Sequence, residues 1–273
     1  MITYWYWRGK VNAGDYFNEY LIHKIYTNVQ FSEVDPDIVM CGSVIENPKV
    51  KNAKYIIGCG SQENIQPVNH NSKSYLCIRG NKTKDLLVRT NILTQEESNK
   101  LELIDPGLLL SYFYKPINKI KTHKIGIIPH YVDEKIITEI YKNNNNIKLI
   151  SIQTKNIEKL AEQICCCDII ISSSLHGIIF SHSLGIPAYY CQCNKLSGEI
   201  GFKFDDYYSS FGLICKHFKW NNNYTIPINE IIEFDKKNRY MVNPSIDMVK
   251  LKQKKYLQIL PYKNEINNNL KKI

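Results

Sequence analysis

The feature that most limits how this chain can fold is an alternation of short β-type runs with helix-length segments, repeated twice along its length. That succession is the signature of parallel sheets whose strands are joined by crossover helices. In the first half, strands are expected near Ile2 to Tyr6, Ile38 to Cys41, Tyr55 to Ile57 and Tyr75 to Ile78, with helices at Tyr16 to Tyr26 and Lys82 to Arg89. In the second half the order is a strand at Lys124 to Ile128, a helix at Glu134 to Tyr141, a strand at Lys148 to Ile152, a helix at Ile157 to Cys166, a strand at Asp168 to Ser172, a helix at Ile178 to Leu184 and a strand at Ala188 to Tyr190. The segment from Tyr114 to His123 carries Pro, Asn and basic residues without periodicity and reads as a linker. The expectation is an α/β protein of two Rossmann-like lobes, residues 1–120 and 121–273, with a final helix at Met248 to Leu260 crossing back to the first lobe.

With 273 residues, 44% of them hydrophobic and 19 Tyr and 9 Phe among them, each lobe can bury a core, and general disorder is excluded. No apolar run approaches the roughly 20 residues of a membrane span. Met1 to Trp7 is followed at once by Arg8 and Lys10, which does not suit a secretory signal. The nine Cys are odd in number and include the adjacent triplet Cys165 to Cys167, so reduced thiols and a cytoplasmic location are expected. Of the net charge of +9, residues 249–273 supply six, with seven Lys and one Glu. The rest is nearly neutral, which argues against a nucleic-acid surface, and the tail reads as a solvated helix face and frayed end.

Several strand-to-helix turns could carry chemistry. Asp168-Ile-Ile-Ile-Ser-Ser-Ser-Leu-His176-Gly177 places Ser173, Ser174, His176 and Gly177 where the amides of a following helix would face a phosphate or carboxylate. Equally, the serines could cap the helix and His176 satisfy a buried carbonyl. Arg8-Gly-Lys-Val-Asn12-Ala-Gly14-Asp15 is a second such turn, with Asn12 and Asp15 suited to a hydroxyl or to capping. Neither a dinucleotide fingerprint nor a P-loop is present. Met40-Cys-Gly-Ser43, Ile57-Gly-Cys-Gly-Ser61 and Ile127-Ile-Pro-His130 repeat the pattern. Arg79, one of four Arg, could grip an anion or form a surface ion pair; Lys203 could do the same or stand in solvent; His130 is ambiguous. Cys191-Gln-Cys193 and the Cys triplet lack partners at zinc-ligand spacing, and no acidic pair is placed to hold a metal with a diphosphate, so no metal is expected.

Taken in order, Asn12-x-Gly14-Asp15, Arg79-Gly-x-x-Thr83, Asp105-Pro-Gly-Leu, Ile127-Ile-Pro-His-Tyr131, Ser173-Ser-Leu-His-Gly177, Leu184-Gly-Ile-Pro187 and Gly201-Phe-Lys-Phe-x-Asp-Tyr207 resemble the polysaccharide pyruvyl transferase family over roughly residues 10 to 212. The resemblance implies a GT-B-like architecture and transfer of pyruvate from phosphoenolpyruvate to two hydroxyls of a sugar, forming a ketal and releasing phosphate, with no further cofactor. It makes His176 and Arg79 candidates for the donor phosphate and carboxylate, and Asn12 with Asp15 candidates for the acceptor side. Where family members often carry Gly-Gly-Gly, this chain has Met40-Cys41-Gly42-Ser43.

The residue types suit that chemistry, which needs an acid, an anion clamp and a base. His176 can give a proton, with His130 in reserve; Arg79 and Lys203 can neutralise the donor; Asp15 can accept a hydroxyl proton. Two other readings compete: a GT-B glycosyltransferase using a nucleotide-sugar donor, and a silent glycan-binding relative.

Overall fold

The computed structural model of the protein describes residues 1–117, 120–193, 201–221 and 225–270. Two sheets, both wholly parallel, form the frame. The first contains β1 (Ile2–Trp5), β2 (Val29–Phe31), β3 (Ile38–Val39), β4 (Tyr55–Ile57), β5 (Tyr75–Ile78) and β6 (Glu102–Leu103) in the order β2-β1-β3-β4-β5-β6. The second contains β7 (His123–Ile128), β8 (Ile147–Leu149), β9 (Cys167–Ser172), β10 (Ala188–Gln192) and β11 (His217–Lys219) in the order β11-β10-β9-β7-β8. Helices α1 (Ala13–Ile25), α2 (Asn81–Arg89), α3 (Gln95–Asn99), α4 (Leu110–Phe113), α5 (Glu134–Tyr141), α6 (Ile157–Cys165), α7 (Leu175–Ser183), α8 (Phe202–Ser209), α9 (Ile228–Val242) and α10 (Ile246–Ile259) connect and cover them. This mixed α/β arrangement of two parallel sheets agrees with a Rossmann-like, two-lobed fold.

Parallel strands covered on both faces need continuous apolar runs, and the central β9 has one: every residue of Cys-Asp-Ile-Ile-Ile-Ser except Asp168 is buried. The shared core runs from Tyr4, Ile38 and Ile57 of the first sheet through Phe17 and Leu21 of α1 and the 3-10 turn Pro106–Leu109 to Phe180 of α7 and Ile170 of β9. Separate clusters around Ile56 and Leu87, and around Ile127 and Ile137, fill the outer faces of the two sheets.

The strands and helices expected in both halves are present, with boundaries shifted by up to three residues. Three short strands, β2, β6 and β11, were not expected, because two or three half-buried residues carry no legible period. Helix α9 was also missed; it buries only Ile231 and Asp235, so its apolar stripe is too thin to read. Asp235 there accepts from Tyr189 Oη at 2.7 Å and from Arg239 Nε at 2.9 Å.

Helix α10 runs back across the first sheet. Ser245 caps it by accepting from Met248 N. Tyr256 Oη donates to the Ile57 carbonyl at 2.9 Å, Gln253 Nε2 donates to Leu108 O at 2.7 Å, Lys252 Nζ reaches Leu103 O and Lys255 pairs with Glu102 at 2.9 Å. The expectation of a merely solvated lysine face is therefore corrected: burial holds Lys252 at a pKa of about 8. Lys271 and Lys272 of the basic tail lie outside the described residues. All nine cysteines are free thiols. Among the described residues no helix is long and apolar enough to cross a membrane.

Candidate active site

In a parallel sheet the carboxyl ends of the strands all lie at one edge, and here those edges of both sheets border one cleft of about 630 Å³. Segments following β1, β3 and β4 contribute Trp7, Asn12, Asp15, Gly42 to Val44, Glu46 to Pro48, Gln62 and Glu63. Segments following β7 and β9 contribute His130 to Val132 and Ser174 to His176, and α8 adds Lys203. Of the residues expected from sequence, the cleft gathers Asn12, Asp15, His130, Ser174, His176 and Lys203.

The first wall is built on the N-terminus of α1. Asn12 is extended at the N-cap position and its Oδ1 accepts from Gly14 N at 2.9 Å, so its side chain both caps the helix and lines the cleft. Asn18, one turn into α1, accepts from Cys41 N at 2.8 Å and donates to Cys41 O at 3.1 Å, which fixes the Cys41-Gly42-Ser43 turn against the helix. Asp15 does not act as the N-cap; it sits in the first turn and lines the cleft. Burial pushes its carboxyl up to about 6, against the opposing pull of His176 and Lys203.

His176, in the first turn of α7, is buried between the two halves. Its Nδ1 lies against Gly14, where a Cβ would stand 2.2 Å away, so only glycine lets α1 approach the ring. Its Nε2 stands 3.7 Å from Oδ1 of Asp105. Asp105 opens the 3-10 turn Pro106–Leu109 and accepts from Gly107 N at 2.8 Å through the same oxygen. Asp105 Oδ2 and His176 Nε2 are both buried without a hydrogen-bond partner among the described residues. The carboxylate and the imidazole thus face each other without a hydrogen bond between them. Asp105 belongs to the motif Asp105-Pro-Gly-Leu, but His176 is 71 positions away in the chain, so spacing alone does not reveal their contact.

The serines do not cap α7 with their side chains. Ser174 occupies the N-cap position with no side-chain cap bond, and it lines the cleft. Ser173 Oγ lies behind, accepting from His130 N at 2.8 Å and donating to Asp133 at 2.6 Å, so it positions His130. Gly177 faces inward against Ser172 Oγ and Ile128. His130 packs against Tyr131 at 4.1 Å between ring centroids with the rings tilted by 38°, and burial with the charge of Lys203 lowers its pKa to about 4. It is neutral near pH 7, which suits hydrogen bonding better than proton donation.

Arg79 is neither in the cleft nor on the surface. It is fully buried, donating through Nε to Asp206 Oδ2 at 2.9 Å, through one amino group to Ser43 Oγ at 2.7 Å and through the other to Ser61 O. Asp206 also accepts from Thr83 N at 2.8 Å and Thr83 Oγ1 at 2.6 Å. The two motifs Arg79-Gly-x-x-Thr83 and Asp206-Tyr207 thus meet in a single buried ion pair. It borders the cleft through Ser43, which accepts from Arg79 and lines the cleft.

Among the described residues two trios carry metal-ligand chemistry, Cys41 with Asp105 and His176, and Asp205 with Cys215 and His217, each with ligand atoms within 4.8 Å of one another. In the second, His217 Nε2 and Asp205 Oδ1 are already paired at 2.8 Å and Asp205 also holds Lys82 at 2.8 Å. Neither trio includes Cys191, Cys193 or the triplet Cys165 to Cys167.

Set beside known proteins, residues 2–194 match a family model described as polysaccharide pyruvyl transferase. An uncharacterized protein of Acanthamoeba polyphaga mimivirus is 32% identical over 220 residues, which cover 77% of this chain and 74% of that protein. No solved structure matches.

Proposed function

The chain belongs to the polysaccharide pyruvyl transferase family, and from that premise we propose that it transfers pyruvate from phosphoenolpyruvate to two hydroxyls of one sugar residue, forming a cyclic ketal and releasing inorganic phosphate. In this reading the two lobes form a GT-B-like pair working in the cytoplasm, with no cofactor beyond the donor. The observation that carries it is the convergence of the N-termini of α1 and α7 with His176, Lys203 and Asp15 on one cleft. Helix N-termini and cations favour a multiply charged anion.

The balance of the reaction assigns the work. A proton is added to the methylene carbon of the donor, leaving an oxocarbenium-like centre at its neighbour. One sugar hydroxyl bonds to that centre and loses its proton; a second hydroxyl then displaces phosphate, so the donor's C–O bond breaks as the ketal closes. Two hydroxyl protons are lost, one replacing that spent on the new methyl group and one leaving with phosphate. Asp15, titrating at about 6, can accept and return a proton near neutral pH. His176, facing Asp105, is the candidate donor to carbon, and Lys203 with the α7 amides faces the leaving phosphate. Arg79 supports this wall through Ser43 and is not given a direct contact.

The test is phosphorus NMR of phosphoenolpyruvate with a glycoside bearing free hydroxyls, together with mass spectrometry of the sugar. Phosphate release coupled to gain of one pyruvate ketal is expected. Release of a nucleotide from UDP- or CMP-sugars, with phosphoenolpyruvate left intact, would transfer the assignment to a glycosyltransferase.

A further inference from the structure

The polar groups of the cleft are not mixed. His130, His176 and Lys203 come from the second half of the chain, whereas Glu46 and Glu63 stand on the wall formed by the first. An anionic donor placed against the glutamates would be repelled, so the first wall is left for the other substrate.

That wall carries an aromatic ring and an unspent carboxylate oxygen. Trp7 follows β1, lines the cleft and is half-buried. Gly9 packs against its six-membered ring so closely that a Cβ there would stand 2.2 Å from Cζ2 and 2.6 Å from Cε2. Glu46 accepts from Gln62 N at 2.9 Å through Oε1, while its Oε2 is buried without a partner among the described residues. Burial raises the Glu46 pKa from the usual carboxylate range. A buried acceptor with no partner is costly unless a ligand supplies the donor.

We infer that Trp7, Glu46 and Gln62 seat an uncharged sugar ring, the acceptor, on the first wall of the cleft. This deepens the pyruvyl-transfer reading and rests on it only for the word acceptor. An aromatic face takes the C–H face of a pyranose, and the open Oε2 of Glu46, held in place by the bond from Gln62 N to Oε1, accepts from a sugar hydroxyl. The glutamates exclude a uronate at the same position. Asn12 and Asp15, farther along the same wall, are then left to meet the hydroxyls that react.

Saturation-transfer NMR on the full chain, without donor, tests the seat independently of turnover. Neutral methyl hexosides are expected to receive saturation on their ring protons, and the corresponding uronates to receive little. Trp7→Ala and, separately, Glu46→Gln should weaken hexoside affinity about tenfold, with the Trp7→Phe ring retaining part of it. The same variants should leave the affinity for phosphoenolpyruvate within about twofold, since that is measured on the opposite wall. Hexoside binding unchanged in both variants, with circular dichroism showing them folded, would overturn the seat even if pyruvyl transfer were demonstrated. Hexoside binding that depends on Trp7 and Glu46 in a protein that never consumes phosphoenolpyruvate would keep the seat and remove the reaction.

Discussion

Arg79 Nε donates to Asp206 Oδ2 at 2.9 Å with both side chains sealed from water. The bond spans 127 positions of sequence and ties the turn between β5 and α2 to α8. Breaking a buried ion pair from one side leaves the other charge uncompensated.

Arg79→Met is therefore expected to cost about 3–5 kcal/mol of stability, measured by urea denaturation. If the variant were as stable as the parent but showed a sharply raised KM for phosphoenolpyruvate, direct donor binding by Arg79 would be the better description.

His176→Asn keeps a hydrogen-bond donor but cannot carry the proton. Turnover should fall about 10²-fold or more with the fold intact by circular dichroism. Asp105→Asn preserves the acceptor for Gly107 and should lower kcat while leaving KM nearly unchanged, because it misdirects His176 without touching the donor. Normal turnover in a folded His176→Asn protein would remove the histidine from the chemistry.

Gly14→Ala sits in a helix, where the exchange ordinarily gains about 0.5–1 kcal/mol. Here the new methyl meets His176 Nδ1 at 2.2 Å. We expect lost activity with a melting temperature no higher than the parent's; a stabilised and fully active variant would show that α1 can yield.

Asp15 makes stability and function pull apart. Its folded pKa of about 6 lies above the ordinary aspartate value of 3.8, so the folded state binds more protons between those limits and loses stability as pH rises through them. Asp15→Asn should therefore be more stable than the parent at pH 7.5, by on the order of 2 kcal/mol. The advantage should shrink through that range and vanish by about pH 3, where the parent's carboxyl is protonated in both states. Pyruvyl transfer by the variant should be abolished. Parallel stability curves across that pH range would contradict the burial of Asp15 as the cause.

How much of this was legible beforehand depends on the distance over which each signal acts. The central strands announce themselves in runs such as Ile169-Ile-Ile171, where burial on both faces removes every polar residue. Asn12, Asp15 and His176 were legible because a strand-to-helix turn in a parallel sheet leaves few other places for a ligand. Arg79 and Lys203 looked alike as cations near turns, and only packing separated them: one is enclosed by Asp206, Ser43 and Ser61, the other lines the cleft. Asp105 lies in a legible motif, but its contact with His176, like the burial of Glu46 Oε2, is made by residues that only the fold brings near.

The contact from Tyr256 Oη to Ile57 O joins residues 199 apart, and this sets an order of events during synthesis. A chain emerging from the ribosome completes the strands of its first sheet by Leu103, yet part of the sheet's inner cover is α10, translated after the entire second sheet. The half made first is thus the half finished last. Until α10 arrives, apolar surface around Ile57 and Leu108 lacks part of its cover, a state in which nascent chains associate wrongly. A chain stopped after β11 would hold every residue that lines the cleft and still lack the segment that closes the lobe bearing Asp15 and Trp7.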